Sequence, residues 1–403
     1  MPDISSAHIA ASALAVPYSR VREIAELAMR MPDVLKLYFG ESDQPTPAFI
    51  KQAAEAALAN GFTFYTENAG LPSLRQAIAQ YTVTLHNVTL DPDSEIAITA
   101  SGVQALSLIL RCLVDPGDEA LVLTPAWPNG AAILQMSHAV VREIPQPLGP
   151  EGYTIDFDAL EAALTPRTRL LLYTSPSNPL GWVATSQDQD RLLDFTRLHN
   201  LWLVADEVYE RLYYGTAQAA PSILRKCTRA DAVVVVQSFS KAWCMTGWRL
   251  GWLTARADLI ARASQLNEFF VSCPAAFTQK AGEAALAHGE PALREMRAAL
   301  RHNRDFCIDA LSRMPGVTVP VPDGAFYVFP QIANLTDSFD FCKCLLQQTK
   351  VGLAPGVAFG AGGEGSVRLC YASARPLLEE AMSRLHRFLE SNSCSPARAP
   401  VSN

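Results

Sequence analysis

Short apolar runs alternate with helical stretches over the first three quarters of the chain. Residues 96–99, 121–123, 170–173, 201–205 and 233–237 are apolar almost throughout, with no regular polar alternation. A strand with one solvated face alternates, whereas a strand covered on both faces reads as such an unbroken run. Between the runs the spacing predicts helices, the clearest over 103–113. Strands alternating with helices predict an α/β domain with a mainly parallel sheet. After about residue 290 the pattern changes. A long helix is predicted over 290–314 and is ended by Pro315-Gly316. Short strands over 317–320, 325–329 and 366–371 and a helix over 376–390 predict a smaller α+β domain. The expected organisation is an N-terminal segment (1–45) joining the small domain, a large domain (46–289), the small domain proper (290–390) and a disordered tail (391–403) rich in Ser, Pro and Ala.

Composition narrows the function classes. A chain of 403 residues suits one large and one smaller domain, and 49% hydrophobic against 18% charged residues excludes global disorder. A net charge of -7 without a long basic run gives nucleic-acid binding no electrostatic support. No apolar run is long enough to span a bilayer. Residues 1–17 are mildly apolar, but Asp3 and the lack of Lys or Arg before Arg20 leave no positive start for a signal peptide. They read as a lead-in or first helix. The nine cysteines are scattered and the seven histidines lack metal-ligand spacing, so thiols in the cytoplasm and no metal site are expected.

The run SFSKAWCMTGWR over 238–249 follows a very apolar strand. A lysine just past a buried strand is costly unless its amine is used. Desolvation and nearby cations lower a lysine's pKa and make the amine a nucleophile toward carbonyls. Ser238, Ser240 and Arg249 surround Lys241 with groups suited to a phosphate dianion. Alone, Lys241 would read as a solvated lysine at a strand end; the cluster changes that balance. Asp206 follows the run 201–205, where the carboxyl end of a parallel strand faces a ligand crevice. It can pair with a protonated pyridine nitrogen while Tyr209 meets the ring's phenolic oxygen, or it can cap a following helix. Asn178, in SPSNPLG over 175–181, can face the same crevice or belong to an ordinary turn. Ser101-Gly102-Val103 opens the predicted helix, whose free amides suit an anion; Ser101 is a cap, a phosphate ligand or both. Trp127 can stack on a planar ring or pack within its loop. Residues 360–365 match G-x-G-x-x-G, but a strand and no helix follows. They are expected to be a flexible loop, which excludes a nicotinamide dehydrogenase.

In this order the residues resemble the fold-type-I pyridoxal-5'-phosphate (PLP) enzymes, most closely the class I and II aminotransferases related to aspartate aminotransferase. The resemblance runs from about residue 38 to residue 371. It is carried by YTENAGLPSLRQAIA over 65–79, the Asn178-Pro179 loop, Asp206 with Tyr209, and the block 241–249. It implies a seven-stranded type of sheet in the large domain and PLP held as a Schiff base on Lys241, which also carries the proton. Asp206 is implied to bind the pyridine nitrogen, Asn178 and Tyr209 the ring oxygen, and Trp127 the ring face. Ser101, Gly102, Val103, Ser238, Ser240 and Arg249 are implied to surround the phosphate. Tyr65 is implied to reach the phosphate of a partner subunit, in a homodimer with shared sites. Arg368 is implied to clamp the substrate carboxylate, with Gly40 beside it and with Asn178 and Trp127 also bordering the substrate. The implied reaction moves an amino group between an L-amino acid and a 2-oxo acid by a ping-pong route. A different PLP carbanion reaction (elimination, cyclisation or an oxidative variant) is the alternative, and a non-catalytic regulatory domain a third reading. Two positions depart from the family pattern. Leu180 stands where Thr is usual. Val103 stands where some aspartate-specific relatives carry a lysine, which implies a preference away from dicarboxylic substrates.

Overall fold

Seven strands build the central sheet: β1 (Ile96–Thr99), β2 (Glu119–Thr124), β3 (Val140–Pro145), β4 (Thr168–Thr174), β5 (Trp202–Asp206), β6 (Val233–Ser238) and β7 (Gly251–Ala255). The structure is a computed structural model that describes residue 9, residues 11–14 and residues 16–391. The expected lead-in and tail therefore lie mostly outside the described residues. Strand order is β1-β7-β6-β5-β4-β2-β3. Every neighbouring pair is parallel except those of β7, which runs antiparallel to β1 and β6.

Along each apolar run, neighbouring residues enter different cores. Leu171, Leu203 and Val235 pack into one cluster, and Leu172, Val204 and Val236 into another on the opposite face. This is the period-2 alternation of a strand applied to a sheet with no solvated side. The five expected strands all form, close to their expected bounds. Two strands were not expected. β3 is an edge strand whose residues alternate in exposure, so it lacks an apolar run. β7 starts on a glycine, which reads as a strand breaker. A Cβ on Gly251 would come 2.7 Å from the Gly102 nitrogen, so glycine lets β7 cross the turn that opens the helix Gly102–Leu113.

The C-terminal part is built on the helix Glu290–Ser312 and on a three-stranded antiparallel sheet of Tyr327–Val328, Val367–Cys370 and Ala354–Pro355. The N-terminal chain joins this part: Leu35–Lys36 pairs in parallel with Val351–Gly352. The helix Arg20–Met29 precedes it. Ser19 caps that helix, its Oγ accepting from the Arg22 N–H at 3.3 Å. Val21, Ile24, Ala25 and Ala28 form its buried face, the i, i+3, i+4, i+7 stripe of an amphipathic helix.

Among the described residues no helix is long and apolar enough to cross a membrane, and no cluster of His, Cys, Asp or Glu could hold a metal ion. Among the described residues seven cysteines are free thiols. Cys344 is disulfide-bonded, against the expectation of thiols throughout.

Candidate active site

β1, β2, β4, β5 and β6 all run in one direction, so the residues following their carboxyl ends meet along one edge of the sheet. A cavity of about 830 Å³ opens there. Ser101, Gly102 and Val103 enter it after β1, Trp127 after β2 and Asn178 after β4. Asp206 and Tyr209 enter it from the end of β5, and Ser238, Ser240, Lys241 and Arg249 from β6 and the turn beyond. Gly40 closes the cavity from the N-terminal chain.

The Lys241 amine donates to the Gly40 carbonyl at 2.7 Å and lies 5.6 Å from the centre of the Tyr209 ring. Burial pushes it down to about 8; the Cys370 thiol pulls the other way, and the Arg368 and Arg249 cations add to the fall. Asp206 accepts from the Val208 N–H at 3.3 Å. Burial pushes its carboxyl up to about 6, opposed by that hydrogen bond and by the charge of Lys241. No helix begins after Asp206, only a series of turns, so the capping role does not apply. The Tyr209 hydroxyl lies 2.7 Å from the Tyr327 hydroxyl and accepts from Asn178 Nδ2 at 3.5 Å.

Ser101 caps the helix Gly102–Leu113, its Oγ accepting from the Gln104 N–H at 3.2 Å. Its φ of 101° is a conformation that residues other than glycine rarely hold. Ser238 Oγ accepts from the Ser240 N–H at 3.1 Å, and Arg249 donates to the Thr246 carbonyl at 2.6 Å. Hydroxyls, a helix start and a guanidinium thus gather around Lys241, with Asp206 and Trp127 on other walls.

Arg368 is fully buried behind the cavity. It donates to Asn178 Oδ1 at 2.9 Å and to the Tyr38 carbonyl, and its guanidinium carbon lies 4.5 Å from the Tyr327 ring centre and 5.6 Å from that of Trp127. Its Nε–H has no partner among the described residues. A buried guanidinium with an open donor suits an anionic ligand. Gly40 has no room for a side chain, because a Cβ would strike the Tyr327 hydroxyl.

Tyr65, expected at a partner's site, lies outside this cavity; it is 89% exposed and borders a separate surface depression together with Phe64. One expectation comes out differently. The glycine-rich loop at 360–365 has no following helix, but it is held rather than free. The Ala361 N–H donates to Glu143 Oε2 at 2.6 Å, and the Ala126 N–H to the adjoining Phe359 carbonyl at 2.9 Å. Sequence reasoning missed Tyr38 and Tyr327, and also Tyr18 and Arg22 at the cavity mouth. Tyr327 sits in a run that reads as core. Only its pairing opposite Cys370 sets it against Tyr209.

The donor set fits PLP: a buried amine, a buried acid, phenolic and amide partners between them, and a separate anion cradle. The family profile described as aminotransferase class I and II matches residues 32–385. The chain belongs to this family. It is 34% identical to an aspartate aminotransferase of Pyrococcus horikoshii, covering 95% of this chain and 97% of the relative. It is 33% identical to aromatic-amino-acid aminotransferase 2 of Thermococcus litoralis, covering 92% and 96%. A crystal structure of an aromatic aminotransferase from Pyrococcus horikoshii matches with a TM-score of 0.85 at 35% identity, over 92% of this chain and 99% of that one. This aminotransferase is therefore PLP-dependent and has the type I fold. The elimination and regulatory readings find no support among these relatives.

Proposed function

We propose that this aminotransferase takes as donor an L-amino acid with an apolar or aromatic side chain, and that the cavity residues act as follows. PLP, when bound, supplies the electron sink that makes loss of the substrate Cα proton feasible. Lys241 would hold the cofactor through its amine and carry the proton; an amine at about 8 can give and take protons near neutrality. Asp206 would pair with the ring nitrogen and keep its positive charge. Asn178 and Tyr209 would hold the ring oxygen, and Trp127 would lie against the ring. Ser101, Ser238, Ser240, Arg249 and the amides of Gly102 and Val103 hold the phosphate. Arg368 takes the substrate carboxylate beside Gly40 and Asn178, its open Nε–H supporting that role.

One observation carries the substrate preference. Val103, Leu106 and Phe39 are among the residues lining the cavity, and Val103 offers no cation at the position where some aspartate-specific relatives have one. Conversion of the enzyme to its pyridoxamine form, followed by absorbance in single turnovers, tests it. Phenylalanine or leucine is expected to exceed aspartate in kcat/KM by about tenfold or more. Aspartate leading the panel would overturn the preference; no pyridoxamine form with any amino acid would overturn the reaction.

A homodimer with shared sites belongs to the same reading. Phe64, Tyr65, Phe269 and Phe270 are exposed aromatics, and residues 62–65 and 273–277 border one depression. Sedimentation is expected to show a dimer. Tyr65→Ala is expected to remain dimeric but to release the phosphate-bearing cofactor about tenfold more readily, as loss of one hydrogen bond to a charged group does. A fully active monomer would contradict both points. The division at residues 45, 289 and 390 and a cytoplasmic setting are proposed with it, supported by the Leu35–Lys36 pairing and by the seven free thiols.

A further inference from the structure

We infer that Tyr327 is a positioning residue: its hydroxyl donates to the Tyr209 hydroxyl and so commits the Tyr209 proton to the cofactor's ring oxygen. This rests on the proposed role of Tyr209 and adds to it the group that sets the direction of its hydrogen bond.

The placement comes from strand pairing. Tyr327 pairs opposite Cys370, and Arg368 lies two residues before Cys370 on the same strand, hence on the same face. The Arg368 guanidinium carbon consequently lies 4.5 Å from the Tyr327 ring centre. Tyr327 is fully buried, and its ring packs edge-on against those of Tyr209 and Phe326, with centres 5.7 Å and 4.8 Å away. Its hydroxyl lies between the Tyr209 hydroxyl, at 2.7 Å, and Gly40, whose carbonyl accepts from Lys241.

Proton counting gives the bond its direction. Arginine has donors only, so Asn178 Oδ1 accepts from Arg368 Nη1 at 2.9 Å. Asn178 Nδ2 is thereby turned toward Tyr209 and donates to its oxygen at 3.5 Å. Among the described residues the Tyr327 hydroxyl has one hydrogen-bond partner, Tyr209. Donating there is the arrangement that pairs its proton. The reverse direction would leave a buried phenol proton unpaired and spend the single Tyr209 proton inside the wall. With Asn178 and Tyr327 both donating, the two acceptor positions of the Tyr209 oxygen are filled, and its own proton is left for the cavity that it lines. The incoming bond also strengthens Tyr209 as a donor. Burial pushes both phenols above the ordinary tyrosine range; the shared bond pulls Tyr209 back and raises Tyr327 further, as for an acceptor and its donor. The other titratable groups facing the pair are Arg368, Asp206, Cys370 and Lys241, and every variant below keeps all four.

The test follows the absorbance of the PLP-loaded enzyme against pH, without substrate. A proton donated to the ring oxygen lowers the pH at which the nitrogen joining cofactor and Lys241 is protonated, because it draws off the negative charge that favours that proton. Tyr327→Phe keeps the ring over Arg368 and removes only the hydroxyl. It is expected to raise the midpoint by about 0.5 to 1 unit, the size of one lost neutral hydrogen bond. Tyr209→Phe should raise it at least as far, and adding Tyr327→Phe to Tyr209→Phe should raise it no further. A 3-fluorotyrosine at position 327, a more acidic donor of nearly the same shape, should lower the midpoint, and it keeps the test readable should Tyr327→Phe fold poorly. Calorimetric titration with the non-reacting ligand 3-phenylpropanoate should show a change of less than about threefold in Tyr327→Phe, because the cation–π contact to Arg368 remains. A shift in Tyr209→Phe with none in Tyr327→Phe, or full additivity in the double variant, would refute the inference while leaving the role of Tyr209 intact. A large loss of 3-phenylpropanoate affinity alongside the shift would mean a disturbed wall and would refute it too. No shift in Tyr209→Phe would remove the ring-oxygen role of Tyr209 and the inference with it.

Discussion

Lys241→Ala is expected to yield a folded, colourless protein whose transamination rate is at least about 10⁴-fold lower, since on the proposed assignment it loses both the covalent link and the proton carrier. The fold should survive. The amine makes one hydrogen bond, to the Gly40 carbonyl, and its charged form is penalised by burial. Thermal unfolding followed by circular dichroism checks the fold, absorbance with excess PLP checks the chromophore, and single turnovers check the rate. A yellow variant within tenfold of the wild-type rate would remove Lys241 from the mechanism. The wild-type amine also sets a pH signature. Only the neutral amine attacks an aldehyde, and this amine sits at about 8 rather than near the ordinary lysine value. Capture of PLP by the apoenzyme should therefore quicken as pH rises through about 8 and level off above it. A rate still climbing steeply at pH 10 would mean an ordinary exposed lysine.

Asp206→Asn is expected to slow Cα proton removal by about 10²- to 10³-fold, comparable to loss of a key preorganised electrostatic group. The amide keeps the shape and can still accept from the Val208 N–H, so the turn after β5 should hold. What is lost, on the proposed assignment, is the negative charge that would face the ring nitrogen. Burial has already pushed the Asp206 carboxyl up to about 6, and a cation brought against it should restore its ionised form. PLP should still bind the variant through Lys241 and the phosphate cradle. Stopped-flow measurement with α-deuterated substrate checks the assignment, because the isotope effect should grow as proton removal becomes slower. An unchanged rate and isotope effect would assign Asp206 a structural role only.

How much could be read in advance depended on whether a signal was local. The five strands that bring the site together are unbroken apolar runs, each followed within a few residues by Ser101, Trp127, Asn178, Asp206 or Lys241. Their chemistry is visible because a buried strand leaves its first polar residue at the crevice. Arg368 was reached only through family resemblance, since an arginine on a short strand reads as surface, whereas here it is fully buried. β3 and β7 escaped because edge exposure and a leading glycine erase the apolar run.

The chain's own pattern therefore determined the α/β class, the direction of the main strands and the amine and acid pair at their ends, because each follows from residues adjacent in sequence. Tertiary structure alone decided that Tyr327 meets Tyr209, that the Tyr38 carbonyl holds Arg368, and that Arg22 stands at the mouth. Those contacts depend on pairings between distant segments, Tyr327 with Cys370 and Leu35 with Val351, which no local periodicity encodes.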